Sequence, residues 1–390
     1  MTQKGVWGLQ EVRDEYLAGN WSYTDTTPPG PYRVYVMGYN DRGGLGLNDI
    51  IPRSSPVAIP GTQWSTVSAA YEGTMGIKTD NTAWVWGKNG NGQLGLNGLV
   101  DYSSPVQLTG TQWKNFEGGN YHFLASKTDN TLWSWGADIQ GQGGWNADGV
   151  QRSSPTQLPG TQWDTEKFST NRSGSMALKT DGTLWVWGWN LVGELGQNSQ
   201  TYYSSPIQIP GTEWSSVSKA YRASFATKSD GTLWSWGGNM YGKLGHNGPS
   251  VNLSSPAQLP GTQWADLPRS NSYVPFALKT DGTLWAIGGY QQSFGRGGFN
   301  STQDNSSPIQ VSGTQWDSFS GSYYVSGATK SDGTLWLWGA NQLSVSKGAL
   351  GQNSNTPAAY SSPVQIPGTQ WARYESGGYT LSNSFLLENI

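Results

Sequence analysis

The chain has 390 residues, with 23 basic and 26 acidic side chains, a formal net charge of −3 and no cysteine. Charged residues make up 13% of it, about half the roughly 25% usual in soluble domains, and no basic block stands out, which argues against an electrostatic nucleic-acid binder. Zero cysteine excludes disulfides, thiolate metal sites and cysteine nucleophiles, and no apolar run approaches the ~18 residues of a membrane-spanning helix.

Residues 1–30 differ in kind from the rest. The start, Met1 to Gly5, lacks the apolar stretch of a secretory signal. From Gly5 to Trp21 the spacing places Leu9, Val12, Tyr16 and Leu17 on one face of a short helix, with Gly19 as its C-terminal stop. Thr24 to Pro31 then reads as a linker. Val6, Trp7, Leu9, Val12 and Tyr16 are many apolar residues for a short segment ahead of a complete domain, and an exposed apolar stripe normally marks an interaction site. The segment reads either as an attachment piece or as a cap on the domain behind it, in helical or extended form.

From residue 31 the chain is an array. Ser-Ser-Pro begins at Ser54, Ser103, Ser153, Ser204, Ser254, Ser306 and Ser361, each followed by Gly-Thr-Gln-Trp (Glu once) with its tryptophan at Trp64, Trp113, Trp163, Trp214, Trp264, Trp316 and Trp371. Both series step by 49, 50, 51, 50, 52 and 55 residues. Between them lies Lys-(Thr/Ser)-Asp-(Gly/Asn)-Thr-(Leu/Ala)-Trp, starting at Lys78, Lys127, Lys179, Lys228, Lys279 and Lys330. Asp-Gly or Asp-Asn between apolar runs is a tight-hairpin signal, because such turns need residues that tolerate positive φ. A glycine-rich turn follows, as in Gly92-Gln93-Leu94-Gly95-Leu96-Asn97. Each unit therefore reads as four short antiparallel strands, with the Ser-Ser-Pro strand outermost because proline lacks a ladder donor. Four-stranded units repeating every ~50 residues specify a β-propeller.

The expected fold is all-β: a seven-bladed propeller over residues 31–390, one blade shared between the termini. The opening strand, Pro31 to Asn40, lacks the two strands that precede its counterparts elsewhere, and Thr369 to Leu387 supplies them. Eighteen of the 22 tryptophans belong to the repeats and are expected to pack between blades. The repeated lysines, aspartates and serines are expected in turns and at the surface.

The run Ala177-Leu178-Lys179-Thr180-Asp181-Gly182-Thr183-Leu184-Trp185-Val186-Trp187-Gly188, with Gly193-Glu194-Leu195-Gly196 after it, resembles the regulator-of-chromosome-condensation repeat. The resemblance covers residues 31–390 and implies a seven-bladed propeller closed by a shared blade. Function transfers far less well than fold. The family's nucleotide-exchange member carries a blade insertion and a basic tail. Here the spacing is even, and residues 1–30 hold only Lys4 and Arg13 as bases. The ultraviolet-B photoreceptor's Gly-Trp-Arg-His-Thr motif is absent. What the resemblance implies in common is protein binding. Residues 5–21 separately resemble short N-terminal pieces of tailed-phage, especially cyanophage, virion structural proteins.

Catalytic signals are sparse. Two histidines leave little acid–base capacity near neutral pH, and His122 is expected to be packed and His246 solvated. No nucleophile elbow, phosphate-cradling loop or metal-ligand spacing occurs, so no catalytic residue, metal or cofactor is expected. Asp80, Asp129, Asp181, Asp230, Asp281 and Asp332 fall in equivalent turns that symmetry keeps apart.

The leading expectation is a non-enzymatic virion structural or receptor-binding propeller of a phage particle. Its partners would be other virion proteins and a host surface protein or glycan, with no nucleic acid and no membrane insertion. The alternative is a cellular, cytoplasmic regulatory propeller that binds another protein. A third class, a glycan-active enzyme, would need two carboxylates ~5–9.5 Å apart in one cleft. For binding, seven to nine residues beyond the repeat tryptophans an aromatic recurs: Tyr71, Tyr121, Tyr221, Tyr273, Tyr323 with Tyr324, and Tyr379. These should circle one mouth of the channel, either as a recognition rim or packed beneath the loops. The third unit interrupts the series with Asn171-Arg172 and a longer loop.

Overall fold

A computed structural model describes residues 31–390 except 71–72, 148, 173, 249, 268–273, 289–294, 302–304, 323, 342–349, 352–358, 377–383 and 390. The attachment residues Val6, Trp7, Leu9, Val12 and Tyr16 therefore lie outside the described residues, as do Tyr71, Tyr273, Tyr323 and Tyr379.

The described strands number twenty-eight, and they group by fours into antiparallel blades. Blade 1 runs from Trp64 to Gln107, blade 2 from Trp113 to Gln157 and blade 3 from Trp163 to Ile209. Blade 4 runs from Trp214 to Gln258, blade 5 from Trp264 to Gln310 and blade 6 from Trp316 to Ile366. Blade 7 is the shared one: Trp371–Ser376 and Ser384–Asn389 pair with each other, and the latter pairs with Tyr32–Gly38, which in turn pairs with Arg53–Ala58. Six register pairs, from Tyr32↔Asn389 to Met37↔Ser384, join the two ends of the chain. Blade 7 continues into blade 1 through the single pair Tyr32↔Trp64. In every blade the Ser-Ser-Pro strand is the outer edge, where the missing proline N–H costs no ladder bond.

Two repeated contacts set one blade against the next. The tryptophan before the strand-end glycine is fully buried and donates its indole N–H to a backbone carbonyl in the preceding blade's glycine-rich turn. These bonds run from Trp86 to Gly44, Trp135 to Gln93, Trp187 to Gln142, Trp236 to Glu194 and Trp338 to Arg296, at 2.8–3.1 Å. Glycine frames the same turn for two reasons. Gly92 has φ +67°, and a Cβ there would stand 2.8 Å from the Cα of Ser153 in the next blade. Gly95 has φ +69°, and its Cβ would meet the Trp135 indole nitrogen at 2.9 Å.

Within each blade the hairpin turn is a fixed unit. Asp80 accepts hydrogen bonds from the Thr82 N–H and hydroxyl, and the Thr82 hydroxyl accepts one from the Trp84 indole. The other five Asp-Gly or Asp-Asn turns repeat this arrangement. The motif lysines are more than surface residues. Lys127 holds its ammonium 4.7 Å from the Trp113 ring and 4.3 Å from the Trp133 ring, and the other five lysines are sandwiched in the same way. Each such contact is worth ~0.5–2 kcal/mol according to its exposure.

Two expectations need correcting. The extra residues of the third unit do not lengthen its loop. They form a bulge in the inner strand Trp163–Thr170, between Trp163 and Phe168. His246 is half-buried rather than solvated, because its Nε2 reaches the Ser235 hydroxyl at 2.9 Å.

Deleting residues 369–390 should leave the strand at Tyr32–Gly38 without its neighbour and abolish cooperative thermal unfolding. A truncated chain that melts normally would refute the closure. Gly92→Ala should cost about 2–4 kcal/mol, through left-handed strain and the clash with Ser153 together, as read by urea titration.

Candidate functional site

Every inner strand runs from its repeat tryptophan, at what is here the lower face, to the turn at the upper face. The glycine-rich turns lie on that same upper face, because alternate connections of an antiparallel blade emerge on one side. The propeller axis thus has two mouths with different chemistry.

The lower mouth opens into a cavity of about 450 Å³ lined by residues of all seven inner strands. Its charges are paired. Lys114 meets Glu166 at 3.6 Å, Lys167 meets Asp266 at 3.5 Å, and Arg373 meets Glu375 at 2.6 Å. Asp266 also accepts from the Ser216 hydroxyl at 2.5 Å. The blade 3 bulge makes this network possible. Asp164 accepts from the N–H groups of Glu166 and Lys167, and the resulting turn aims both side chains into the channel, a common use of bulges. The extra residues of the third unit were visible in the sequence, but their destination was not. Among the described residues no group of three or more His, Asp or Glu is placed to hold a metal ion.

His122 sits sealed between blades 2 and 3. Its Nε2 lies 2.7 Å from the Thr170 hydroxyl, and burial pushes its imidazole down to about 4. It is a neutral packing residue at physiological pH. Burial, not exposure, decides its role.

The upper mouth carries the described members of the tyrosine series. Tyr121, Tyr221 and Tyr324 are all half-buried in the turns that end inner strands, so the structure brings them to one face. Two are dressed with cations. Arg222 lies 5.4 Å and Lys243 5.2 Å from the Tyr221 ring, and Arg296 lies 5.0 Å from the Tyr324 ring. Lys243 also donates to the Tyr221 carbonyl at 2.9 Å.

These cations point to residues that sequence reasoning passed over. Glu194, Lys243 and Arg296 occupy the position between the two framing glycines of successive turns, where the earlier units have Gly44, Gln93 and Gln142. The frame is constant and this side chain is not, a variation that was legible in the motif. Glu194, Lys243 and Arg296 are all buried, and so is Lys219 at the upper end of the blade 4 inner strand. Burial pushes the Lys219 ammonium down to about 8, against an opposing pull from Glu194. Burial, reinforced by Arg222, pushes Lys243 down to about 7. Burial likewise raises Glu194 above the usual carboxylate range.

Three stretches of the chain, residues 80–126, 181–226 and 230–264, match the regulator of chromosome condensation (RCC1) repeat. The fold is similar to that of Prp20p from Saccharomyces cerevisiae, with a TM-score of 0.78 and 16% identity over 92% of both chains. Yeast RCC1 (Prp20) bound to Kap60 matches with a TM-score of 0.77 and 16% identity, over 92% of this chain and 90% of that one. Human WBSCR16 matches with 0.76 and 18%, over 92% of this chain and 99% of that one. No curated protein matches the sequence. The chain carries RCC1 repeats and has the fold of RCC1-type seven-bladed propellers.

The buried lysines fix a pH dependence. An unfolded lysine titrates near ~10.4, above both folded values, so between about 7 and 10 the unfolded chain holds more protons than the native one. Stability should therefore rise with pH across that window. In melts from pH 6 to pH 10, wild type should gain on Lys243→Met as pH rises. A constant difference would show that Lys243 is not desolvated.

Proposed function

We propose that this chain is a non-catalytic, protein-binding propeller that engages its partner through the upper mouth. The observation that carries this reading is the pairing of tyrosines with cations at the variable position of an otherwise constant turn. Side chains that differ from blade to blade are where a repeat fold acquires specificity, and tyrosine and arginine are, with tryptophan, the residue types enriched in binding hot spots. The structural neighbours support protein binding as a use of this fold: Prp20p is described by its binding to Gsp1p and histones, and yeast RCC1 by its complex with Kap60. Between the alternatives drawn from sequence, the regulatory protein-binding propeller is the better supported. The virion role rests on residues 1–30, outside the described residues, and mass spectrometry of purified particles tests it.

The glycan-active reading gains no support from the channel, where Glu166, Asp266 and Glu375 each have a cationic neighbour. Tyr221→Ala should weaken partner binding by ~1–2 kcal/mol, the hot-spot range, measured by calorimetry with a partner purified from the native source. Melting should change little. Unaltered binding with a large fall in melting temperature would assign Tyr221 to packing instead.

A further inference from the structure

Among the described residues, the strongly exposed large hydrophobic side chains all lie on the connections that carry the glycine-rich turns. They include Ile50, Ile51, Leu99, Val100, Ile139, Leu191, Met240 and Val251. Blades 7, 1, 2, 3 and 4 each contribute at least two, so the upper face is ringed by an apolar arc. One part of this arc is unlike the others. In blade 4 the residue before the first framing glycine, Tyr241, adopts φ 60° and ψ 28°. Its counterparts Arg42, Asn91, Gln140 and Val192 are not among the residues with positive φ. A bulky residue held in the left-handed region is strained, and such strain gathers at ligand clamps.

The strained turn borders a groove of about 620 Å³, lined by Met240, Tyr241, Ser250 and Asn252 of blade 4 and by Asn305 and Ser306 on the blade 5 side. Met240 is 50% exposed and the neighbouring Val251 59%. Inward from the groove the chemistry turns basic. The Gly238 N–H donates to the Arg222 carbonyl at 2.6 Å, which ties Arg222 two residues from Met240. Lys243, next to the groove-lining Gly242, sends its ammonium inward to Tyr221. Glu194 is the carboxylate that acts on Arg222, and it is buried with Lys219 beside it. Among the described residues, cations outnumber carboxylates here in a chain whose net charge is −3.

We propose that the upper face of blade 4 binds a short acidic–apolar segment of a partner protein, its apolar side chains in the Met240–Tyr241 groove and its carboxylates toward the half-buried Arg222. The inference rests on the upper-mouth reading and specifies its ligand. A single extended segment suits the site because the groove, bounded by Ser306 of the blade 5 outer edge, lies radially outward of the cations. An apolar residue and a carboxylate a few positions apart can reach both.

The test uses the full chain and fluorescein-labelled twelve-residue peptides in fluorescence anisotropy. One probe alternates Leu and Glu, a second replaces every Glu with Lys, and a third replaces every Leu with Ser. The Leu–Glu probe should bind at least ten-fold more tightly than either control, and raising salt should weaken it several-fold. Met240→Asp, at a half-exposed position, should weaken it at least five-fold with unchanged melting, and Arg222→Gln should weaken it as much. Equal binding of the Glu and Lys probes, or wild-type binding by Met240→Asp, would overturn the proposal. So would concentration-dependent self-association that Met240→Asp abolishes, since the groove would then seat a second copy. If partner capture falls with Tyr221→Ala while no probe binds, this proposal fails and the upper-mouth reading stands. Capture untouched by both Tyr221→Ala and Met240→Asp would overturn both.

Discussion

Five of the seven blades are held to the preceding one by an indole N–H that donates to a main-chain carbonyl in the glycine-rich turn next door. A buried carbonyl must be paired, and a tryptophan from the adjacent blade pairs it while adding a large apolar surface to the inter-blade core. In most of these interfaces a hydroxyl joins the indole at the same carbonyl: Thr74 at Gly44, Ser175 at Gln142, Ser224 at Glu194 and Ser326 at Arg296. The turn must approach closely for these bonds to form, and only glycine allows that approach. The framing glycines are the constant part: they persist where Phe123 replaces the hydroxyl opposite Trp135 and where Ile287 replaces the indole.

Blades 5 and 7 show what happens when the tryptophan is lost. Met37 stands in its place in blade 7 and Ile287 in blade 5, and the turn preceding blade 5 is the one carrying Lys243. Packing persists through Ile287, which would lie 2.7 Å from a Cβ on Gly245, but the indole bond across this interface is gone. The same turn holds the left-handed Tyr241 and borders the 620 Å³ groove. This is one of two interfaces without the indole bond, and it lies beside the cationic side chains around Tyr221.

The fold was legible because its determinants are periodic. The Asp-Gly turns, the Ser-Ser-Pro edges and the split blade are all local patterns whose repetition fixes the architecture. The channel was not legible, since pairings such as Lys167 with Asp266 join residues about a hundred positions apart. The blade 3 bulge was misplaced for a related reason. Counting residues reveals an insertion between Trp163 and Lys179, but it does not say whether the strand or its loop absorbs it. Here Asp164 decides, by capping the N–H groups of Glu166 and Lys167 and closing a turn inside the strand. The motif lysines were read as solubility residues, because the two tryptophans that flank each ammonium come from different strands.

The position between the framing glycines joins structure to function. In five units its carbonyl accepts the neighbouring blade's indole N–H, whereas its side chain is not needed by that bond and is free to differ. Across the seven units it is glycine, glutamine, glutamine, glutamate, lysine, arginine and alanine. Burying the charged members is costly, as the depressed lysines and the raised Glu194 show. Inter-blade packing alone does not account for that cost, because Gly44 supports the same carbonyl contact with no side chain at all. The charges are therefore better explained by what approaches the upper mouth. An anionic group arriving there would meet cations already stripped of water and held by a rigid frame, so little further desolvation or ordering would be required on binding.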